Sequence, residues 1–357
     1  MGTDFSTAAG KAVKTVLFFM VFLCSFWYVH NVLLIKRTDG ITPMQNLYAQ
    51  KRNTVDVLFC GCSLMGLGID QEALWHEYGI AGYNLWGSVQ PFWNSYYFLK
   101  EALKTQQPKV IALEMSPILY GYEYQDDARQ LCNTQGMHLS KNAVQSVWAS
   151  TQKERHLTVL FSISTFHSRW KEIRADDFMH FPWTKELINN KGSSVRYGTG
   201  LSLNPPAVDL TEISEVKMMM PKEEQYLRLF MELCKEYDIP LLLIRAPSNN
   251  CVAEQPYCNY VSRLAEAYGA NFINTNQFFN QIGFASDDLY DGGHLNTKGS
   301  RKLTHYIGSI LRDSYGVPDR RGDSDYESWE INAQNMRNAY LKLITDEDER
   351  KREEARK

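Results

Sequence analysis

The stretch "VDVLFCGCSLMGLGID", residues 55–70, joins an apolar run to a group of small residues around a serine. Its first half is typical of a strand buried in a parallel sheet. A strand that only has to pack does not require small residues around Ser63 at its carboxyl end. In an open parallel sheet that end borders the crevice where ligands bind. The pattern therefore predicts a strand that presents Ser63 to a functional site.

Further apolar runs follow, separated by stretches with a helical pattern. The helical patterns begin near Pro91, Leu227 and Leu303, and the last one ends before the stop signals Gly316 and Pro318. Strands that alternate with helices predict an α/β fold, a parallel sheet with helices on both faces. The predicted strands, of which the fifth is the weakest, are "VDVLFCG" (55–61), "AGYNLWG" (81–87), "KVIALEMS" (109–116), "PLLLIRAP" (240–247) and "ANFINTN" (270–276).

The segment "TVLFFMVFLCSFWYVHNVLLI", from Thr15 to Ile35, contains no charged residue. About 20 helical residues cross the roughly 30 Å of hydrocarbon in a bilayer. A cleaved signal peptide would have a shorter apolar core and a cleavage site of small residues. We therefore predict one transmembrane helix that stays attached, with a buried core helix as the alternative. Basic residues flank the segment on both sides, so they do not set its orientation.

The rest of the chain divides by composition. From about residue 118 to residue 221 the alternation stops, which indicates an inserted cap. After Pro318 the sequence is dense in charge, which indicates a solvated helix or a disordered extension. The predicted organisation is a cytoplasmic stub and anchor (1–37), an α/β domain that includes the cap (38–318) and a charged tail (319–357).

Charge and cysteine usage exclude some classes of function. The formal net charge is -3, without the basic footprint that nucleic-acid binding requires. Cys251 and Cys258 are near enough in sequence to form a disulfide in an oxidising compartment. His138, His156 and His180 lack the spacing of metal ligands. We predict no nucleic-acid partner, no metal and no cofactor.

A second motif, "DLYDGGHLNTKGS" at residues 288–300, lies directly before the last predicted helix. Asp291 and His294 are three residues apart, which lets the carboxylate contact the near ring nitrogen of the histidine. The far ring nitrogen can then take a proton from Ser63, which is a poor nucleophile without such a base. The alternative is that Asp291 is a turn or capping residue.

Other polar residues are weaker candidates for contacts with substrate. Arg245 and Glu114 both lie at predicted strand ends. Arg245 can hold a carboxylate or phosphate of the substrate, or it forms an ion pair with Glu114. His167 and Trp170 in the cap can line a sugar groove, or they pack as ordinary cap residues.

Taken together, "GCS" at residues 61–63 and "DGGH" at residues 291–294 resemble the first and last blocks of the SGNH/GDSL hydrolase superfamily. The resemblance covers roughly Val55 to Leu311, with the cap as an insertion. It implies a flavodoxin-like sheet between two layers of helices. It also implies that Ser63 is the nucleophile of a triad completed by Asp291 and His294.

The other two blocks of the family differ in how well they match. Gly87 in "NLWGS" matches the second block, whose glycine N–H joins that of Ser63 in the oxyanion hole. In place of the third-block G-x-N-D the chain reads "LEMSP". The hole therefore has only backbone donors, or Asn84 or Asn94 substitutes. Because one missing donor can cost about 3 kcal/mol of transition-state stabilisation, unassisted hydrolysis is expected to be weak.

An anchored domain with this third block resembles the membrane-tethered subset that works beside multi-pass acyltransferases, such as the alginate O-acetylation proteins and the D-alanyl-transfer protein of teichoic acid. The resemblance implies acyl transfer to hydroxyls of an extracellular glycan or polymer. It also implies a multi-pass partner and a single-pass protein of the cell membrane with its domain outside. The alternatives are an esterase that removes such groups and a non-catalytic glycan-binding or scaffold protein.

Overall fold

The predicted strands form one parallel sheet. The structure, a computed structural model, describes residues 4–34, 39–161, 163–179, 190–194 and 196–354. Within these residues the strands are β1 (Val57–Cys62), β2 (Gly82–Gly87), β3 (Val110–Glu114), β4 (Leu241–Arg245) and β5 (Asn271–Asn274). Their order is β2-β1-β3-β4-β5, so the five predicted strands and the α/β class are confirmed. In this flavodoxin-like order the switch point, where ligands bind, lies between β1 and β3.

Helices cover both faces of the sheet. Successive residues of β1 point to opposite faces, so Leu58 and Cys60 pack into one apolar cluster and Val57 and Phe59 into another. The α-helices are α1 (Asp4–Leu33), α2 (Ile41–Tyr48), α3 (Ser63–Gly68), α4 (Gln71–Tyr78), α5 (Phe92–Ala102), α6 (Asp127–Cys132), α7 (Lys141–Ser150), α8 (His156–Leu160), α9 (Ile163–Phe166), α10 (Asp176–Met179), α11 (Pro221–Glu236), α12 (Cys251–Tyr268), α13 (Phe279–Ile282), α14 (Thr297–Asp313) and α15 (Glu327–Glu354).

Helix α1 contains the predicted anchor. Its stretch Ala9–Leu33 is long and apolar enough to cross a membrane, and its most apolar window is not buried against the rest of the chain. The carbonyls at the end of a helix lack partners within the helix. Here the Arg169 guanidinium donates to the carbonyls of Val32, Leu33 and Leu34, at 3.2, 3.2 and 3.0 Å. A positive charge also suits the negative end of the helix dipole.

The cap is more regular than its sequence suggested, because it contains the short helices α6 to α10. Helix α7 packs on α5 of the α/β domain. The segment from α8 to α10, residues 156–161 and 163–179, contacts α1 through α9, α10 and the 3-10 helix between them, and we call it the collar. Val159 and Phe166 of the collar share an apolar cluster with Leu33 of α1. Residues 162, 180–189 and 195 of the predicted cap, including His180, lie outside the described residues.

The segment after Pro318, predicted to be a solvated helix or a disordered extension, contains the helix α15 but begins with a packed stretch. Trp329 in the first turn of α15 is 1% exposed and belongs to the core cluster on one face of the sheet. Its indole N–H donates to the carbonyl of Gly82 at 3.1 Å, which joins the helix to edge strand β2. The prediction missed this because a single tryptophan in a charged segment gives no periodic apolar pattern.

The tentative disulfide between Cys251 and Cys258 is wrong. Both residues are free thiols in helix α12. Positions seven residues apart in a helix are separated by about 10 Å, at a rise of 1.5 Å per residue. A disulfide requires Cα atoms within about 7 Å. Nearness in sequence does not bring the two residues together in a helix, and this geometry excludes the bond.

We expect Trp329→Ala to lower the free energy of unfolding by about 3–5 kcal/mol, because it leaves a large cavity and an unpaired Gly82 carbonyl. Ile331→Ala, on the same helix but at a side chain that is 54% exposed, is the matched control and is expected to change it by less than about 0.5 kcal/mol. Chemical denaturation of the two variants measures the difference. Equal effects would contradict the packing of α15 on the sheet.

Candidate active site

Ser63 lies where β1 ends and helix α3 begins. The strand passes very close to β3 at this point. Gly61 has φ +139°, and a Cβ atom there would lie 2.8 Å from the Cβ of Glu114. A glycine is therefore required two residues before Ser63. The small residues around the serine allow this close approach and leave the hydroxyl at the carboxyl edge of the sheet.

The structure brings the three predicted triad residues together. Ser63 Oγ lies 2.8 Å from His294 Nε2, within the hydrogen-bond distance that the sequence analysis required. His294 Nδ1 lies 2.9 and 2.8 Å from the two carboxylate oxygens of Asp291. A carboxylate only accepts, so the ring proton belongs on Nδ1 and Nε2 accepts from the serine hydroxyl. This tautomer is the one that a general base needs.

Asp291 also organises its own loop. Its Oδ1 accepts from the backbone N–H groups of Gly293 and His294, both at 2.9 Å. Partial burial raises the pKa of Asp291, but these hydrogen bonds and the His294 ring outweigh it and hold the pKa below its usual value. Helix α14 is capped by Asn296, which accepts from Gly299. Asp291 is therefore a turn residue that also holds the histidine ring, and it does not cap the helix.

Gly87 lies next to the nucleophile. In the parallel ladder it is paired with Cys62, the residue before Ser63. A Cβ atom on Gly87 would lie 2.0 Å from Asn133 Oδ1 and 2.5 Å from Gln90 Oε1, so there is no room for a side chain. The predicted second donor of the oxyanion hole thus lies at a position where the neighbouring side chains leave space only for glycine.

The loop after Gly87 is strained, and the cap holds it. Val89 has φ +47°, a rare conformation for a β-branched residue that costs about 1–3 kcal/mol. Gln125 Nε2 donates to the Val89 carbonyl at 2.7 Å, and Asn133 Nδ2 donates to the Ser88 carbonyl at 2.9 Å. Asn133 also donates to Gln125 Oε1 at 2.9 Å. Gln125 and Asn133 belong to no sequence motif, so neither was predicted.

Asn84 and Asn94, predicted as substitute donors, are both fully buried and hydrogen-bonded within the core. Asn84 donates to the Ile69 carbonyl at 2.8 Å and accepts from Gln71 at 2.6 Å. The amide N–H groups of Asn94 point to the Asn133 carbonyl and to hydroxyls of helix α7. Neither amide hydrogen-bonds to a triad residue, which disfavours them as substitute donors. The backbone N–H groups of Ser63 and Gly87 stay the predicted donors of the oxyanion hole.

Glu114 and Arg245 form the ion pair that was the alternative to substrate binding. Arg245 Nη1 lies 3.3 Å from Glu114, and Nη2 lies 2.8 Å from Glu254. Burial lowers the pKa of Arg245, but the two carboxylates outweigh it and raise that pKa. Glu114 also accepts from the thiol of Cys62 at 3.2 Å. All these groups are buried, so they support the strand end beneath Ser63.

His167 and Trp170, predicted to line a sugar groove, lie elsewhere. They belong to the short 3-10 helix His167–Glu172 in the collar. Arg169, between them, binds the carbonyls at the end of α1. Their position associates them with the anchor rather than with the triad.

Asp39, which the prediction did not include, lies near His294 and Arg196. Burial raises the pKa of Asp39 above its usual value, and the neighbouring Arg196 and His294 only partly offset that rise. Asp39 follows Leu34, the last described residue after α1, by five positions. Five residues span at most about 18 Å even when fully extended. His294 is therefore near the point where the apolar helix ends.

We expect Gln125→Leu to lower kcat for ester hydrolysis, by up to about 100-fold, because it removes the shorter of two hydrogen bonds to the Val89 carbonyl and lets the loop after Gly87 shift. It should also cost about 1–3 kcal/mol of stability, since the carbonyl keeps the longer bond from the Tyr122 hydroxyl, at 3.4 Å, but loses the one from Gln125. Gln135→Leu is the matched control, because Gln135 makes a similar bond to the Val159 carbonyl away from the loop. Comparable losses of activity in both variants would argue against a specific role for Gln125.

Comparisons with known proteins do not assign a function to the chain, so the assignment depends on the geometry of the site. No protein-family model matches the chain, and no curated protein matches it. What the site can do chemically follows from a serine, a base of fixed tautomer and a glycine N–H at one strand edge. Such a set supports nucleophilic attack on an acyl carbonyl.

Proposed function

We propose that this protein is a membrane-anchored serine acyl-transfer enzyme of the SGNH type. The observation that carries the proposal is the chain of contacts from Ser63 through His294 to Asp291, with 2.8 Å between the hydroxyl and the ring. These groups come from opposite ends of the domain sequence, so folding alone brings them together. A purely structural serine at this position would not need a histidine held in one tautomer.

The mechanism follows from the positions of these atoms. Ser63 Oγ attacks the acyl carbonyl while His294 Nε2 takes its proton. The negative charge that forms on the carbonyl oxygen is held by the N–H groups of Ser63 and Gly87. The intermediate collapses, and His294 returns the proton to the departing alcohol, which leaves an acyl ester on Ser63. A second hydroxyl then gives its proton to His294, attacks this ester and frees the serine.

The position of the site relative to the anchor supports a substrate near the membrane. Because at most about 18 Å of chain joins Leu34 to Asp39, the triad is held close to the end of α1. A multi-pass acyltransferase in the same bilayer could pass an acyl group to Ser63 over a short distance. The acceptor in this proposal is a hydroxyl of a glycan or polymer on the outer side of the membrane.

We expect a fluorophosphonate to label Ser63 in the full-length protein, because this reagent reports a serine activated by a neighbouring base. Ser63→Ala should not be labelled. Asp291→Asn should be labelled about two to four orders of magnitude more slowly, since it no longer fixes the ring tautomer. Mass spectrometry of the labelled peptides gives the rates. Labelling of Asp291→Asn at the wild-type rate would contradict the triad.

In cells, we expect Ser63→Ala to abolish ester-linked acyl groups on the envelope polymer without lowering the abundance of the protein. The substitution removes one oxygen, so its effect on folding should be within about 0.5 kcal/mol. The purified wild-type protein alone should hydrolyse small activated esters slowly. Fast hydrolysis would favour the esterase, and normal acylation with Ser63→Ala would favour the scaffold protein.

A further inference from the structure

A cavity of about 420 Å³ lies between the end of α1 and the cap. This volume is in the range of small-ligand sites, about 300–1,000 Å³. One wall is formed by α1 around Phe26 and His30, and the opposite wall by residues 134–139 with helices α7 and α8. It is separate from the triad, none of whose residues lines it.

The chemistry of the lining favours an uncharged, apolar ligand. None of the described residues that line the cavity is Asp, Glu, Lys or Arg, so neither a phosphate nor a carboxylate would find a charged partner there. His138 is among them, and burial lowers its pKa, which favours its neutral form. The other lining residues are mainly aliphatic and aromatic, for example Met137, Leu139, Val147, Leu160 and Phe161.

The position of the cavity indicates where such a ligand comes from. The α1 residues that line it belong to the charge-free segment that we expect to lie in the bilayer. Large apolar side chains of the surrounding elements are also exposed: Leu139 at 81%, Trp170 at 64% and Phe161 at 54%. Trp and other large apolar residues are enriched where proteins meet the membrane interface. In an anchored protein, the α1 wall of the cavity and these exposed side chains would lie at the membrane.

We propose that this cavity binds the acyl chain of a membrane phospholipid from the leaflet on the side of the domain. This inference rests on the membrane anchor of the proposed function and does not depend on the acyl-transfer reaction. The bound chain would fill the apolar space between α1 and residues 134–139. The latter segment begins directly after Asn133, which holds the Ser88 carbonyl beside the nucleophile. The lipid would thus support the cap from the membrane side.

The test uses the full-length protein in vesicles of phosphatidylethanolamine and phosphatidylglycerol, with a phosphatidylethanolamine that carries a diazirine in its acyl chain. After illumination, peptide mass spectrometry should find lipid on residues 134–139 or on α7, in addition to the exposed surface of α1. Labelling of α1 alone would overturn the proposal. If neither α1 nor the cavity residues were labelled, the result would contradict the membrane anchor on which the proposal rests.

Two variants of helix α8 sharpen the test. Leu160→Trp fills the cavity and should remove most of the label from residues 134–139, while label on the exposed surface of α1 stays unchanged. Leu157→Trp is the matched control, because Leu157 is 66% exposed and does not line the cavity; it should be labelled like wild type. Unchanged labelling in a folded Leu160→Trp protein would overturn the proposal. Ser63→Ala should be labelled like wild type, which separates this result from a failure of the acyl-transfer mechanism.

Discussion

The buried charge of Glu114 is the constraint on which the rest of the site depends. It lies at the end of β3 and accepts from Cys62 on β1, from Ser116 and from Arg245 on β4. The carboxyl ends of three strands are thereby tied to one carboxylate directly beneath Ser63. Removal of one partner from a buried ion pair typically costs about 3–5 kcal/mol, because the other charge stays unpaired. Glu114 therefore fixes the strand edge, and its close approach to β1 makes a glycine at position 61 necessary.

Ser63, the predicted nucleophile, and the loop after Gly87 are positioned by different parts of the molecule. The triad comes from the strand edge and from the loop before α14, both within the α/β domain. The loop that follows Gly87 is held in a strained conformation by Gln125 and Asn133 of the cap. A conformation that costs free energy persists only while its surroundings impose it. Through these two residues the cap contributes to the geometry of the predicted site.

Much of this arrangement could be predicted from the sequence because it is encoded locally. A strand buried on both faces is a continuous apolar run, and a D-x-x-H spacing is short enough to fix one contact. The contacts that the prediction missed join residues far apart in sequence. Gln125 contacts Val89 only because the cap folds back over β2, and Trp329 is buried only because β2 is an edge strand. The sequence left open whether Arg245 binds a substrate. The fold places Glu254 next to its guanidinium, so Arg245 forms a buried ion pair instead.

The short connection between Leu34 and Asp39 has a consequence for where the protein can act. In an anchored domain, a tether this short confines the serine to a thin layer above the bilayer, so that it searches for partners by lateral diffusion. On the proposed function, an acceptor hydroxyl would have to enter this layer to be acylated, so a polymer segment held further from the membrane would escape modification.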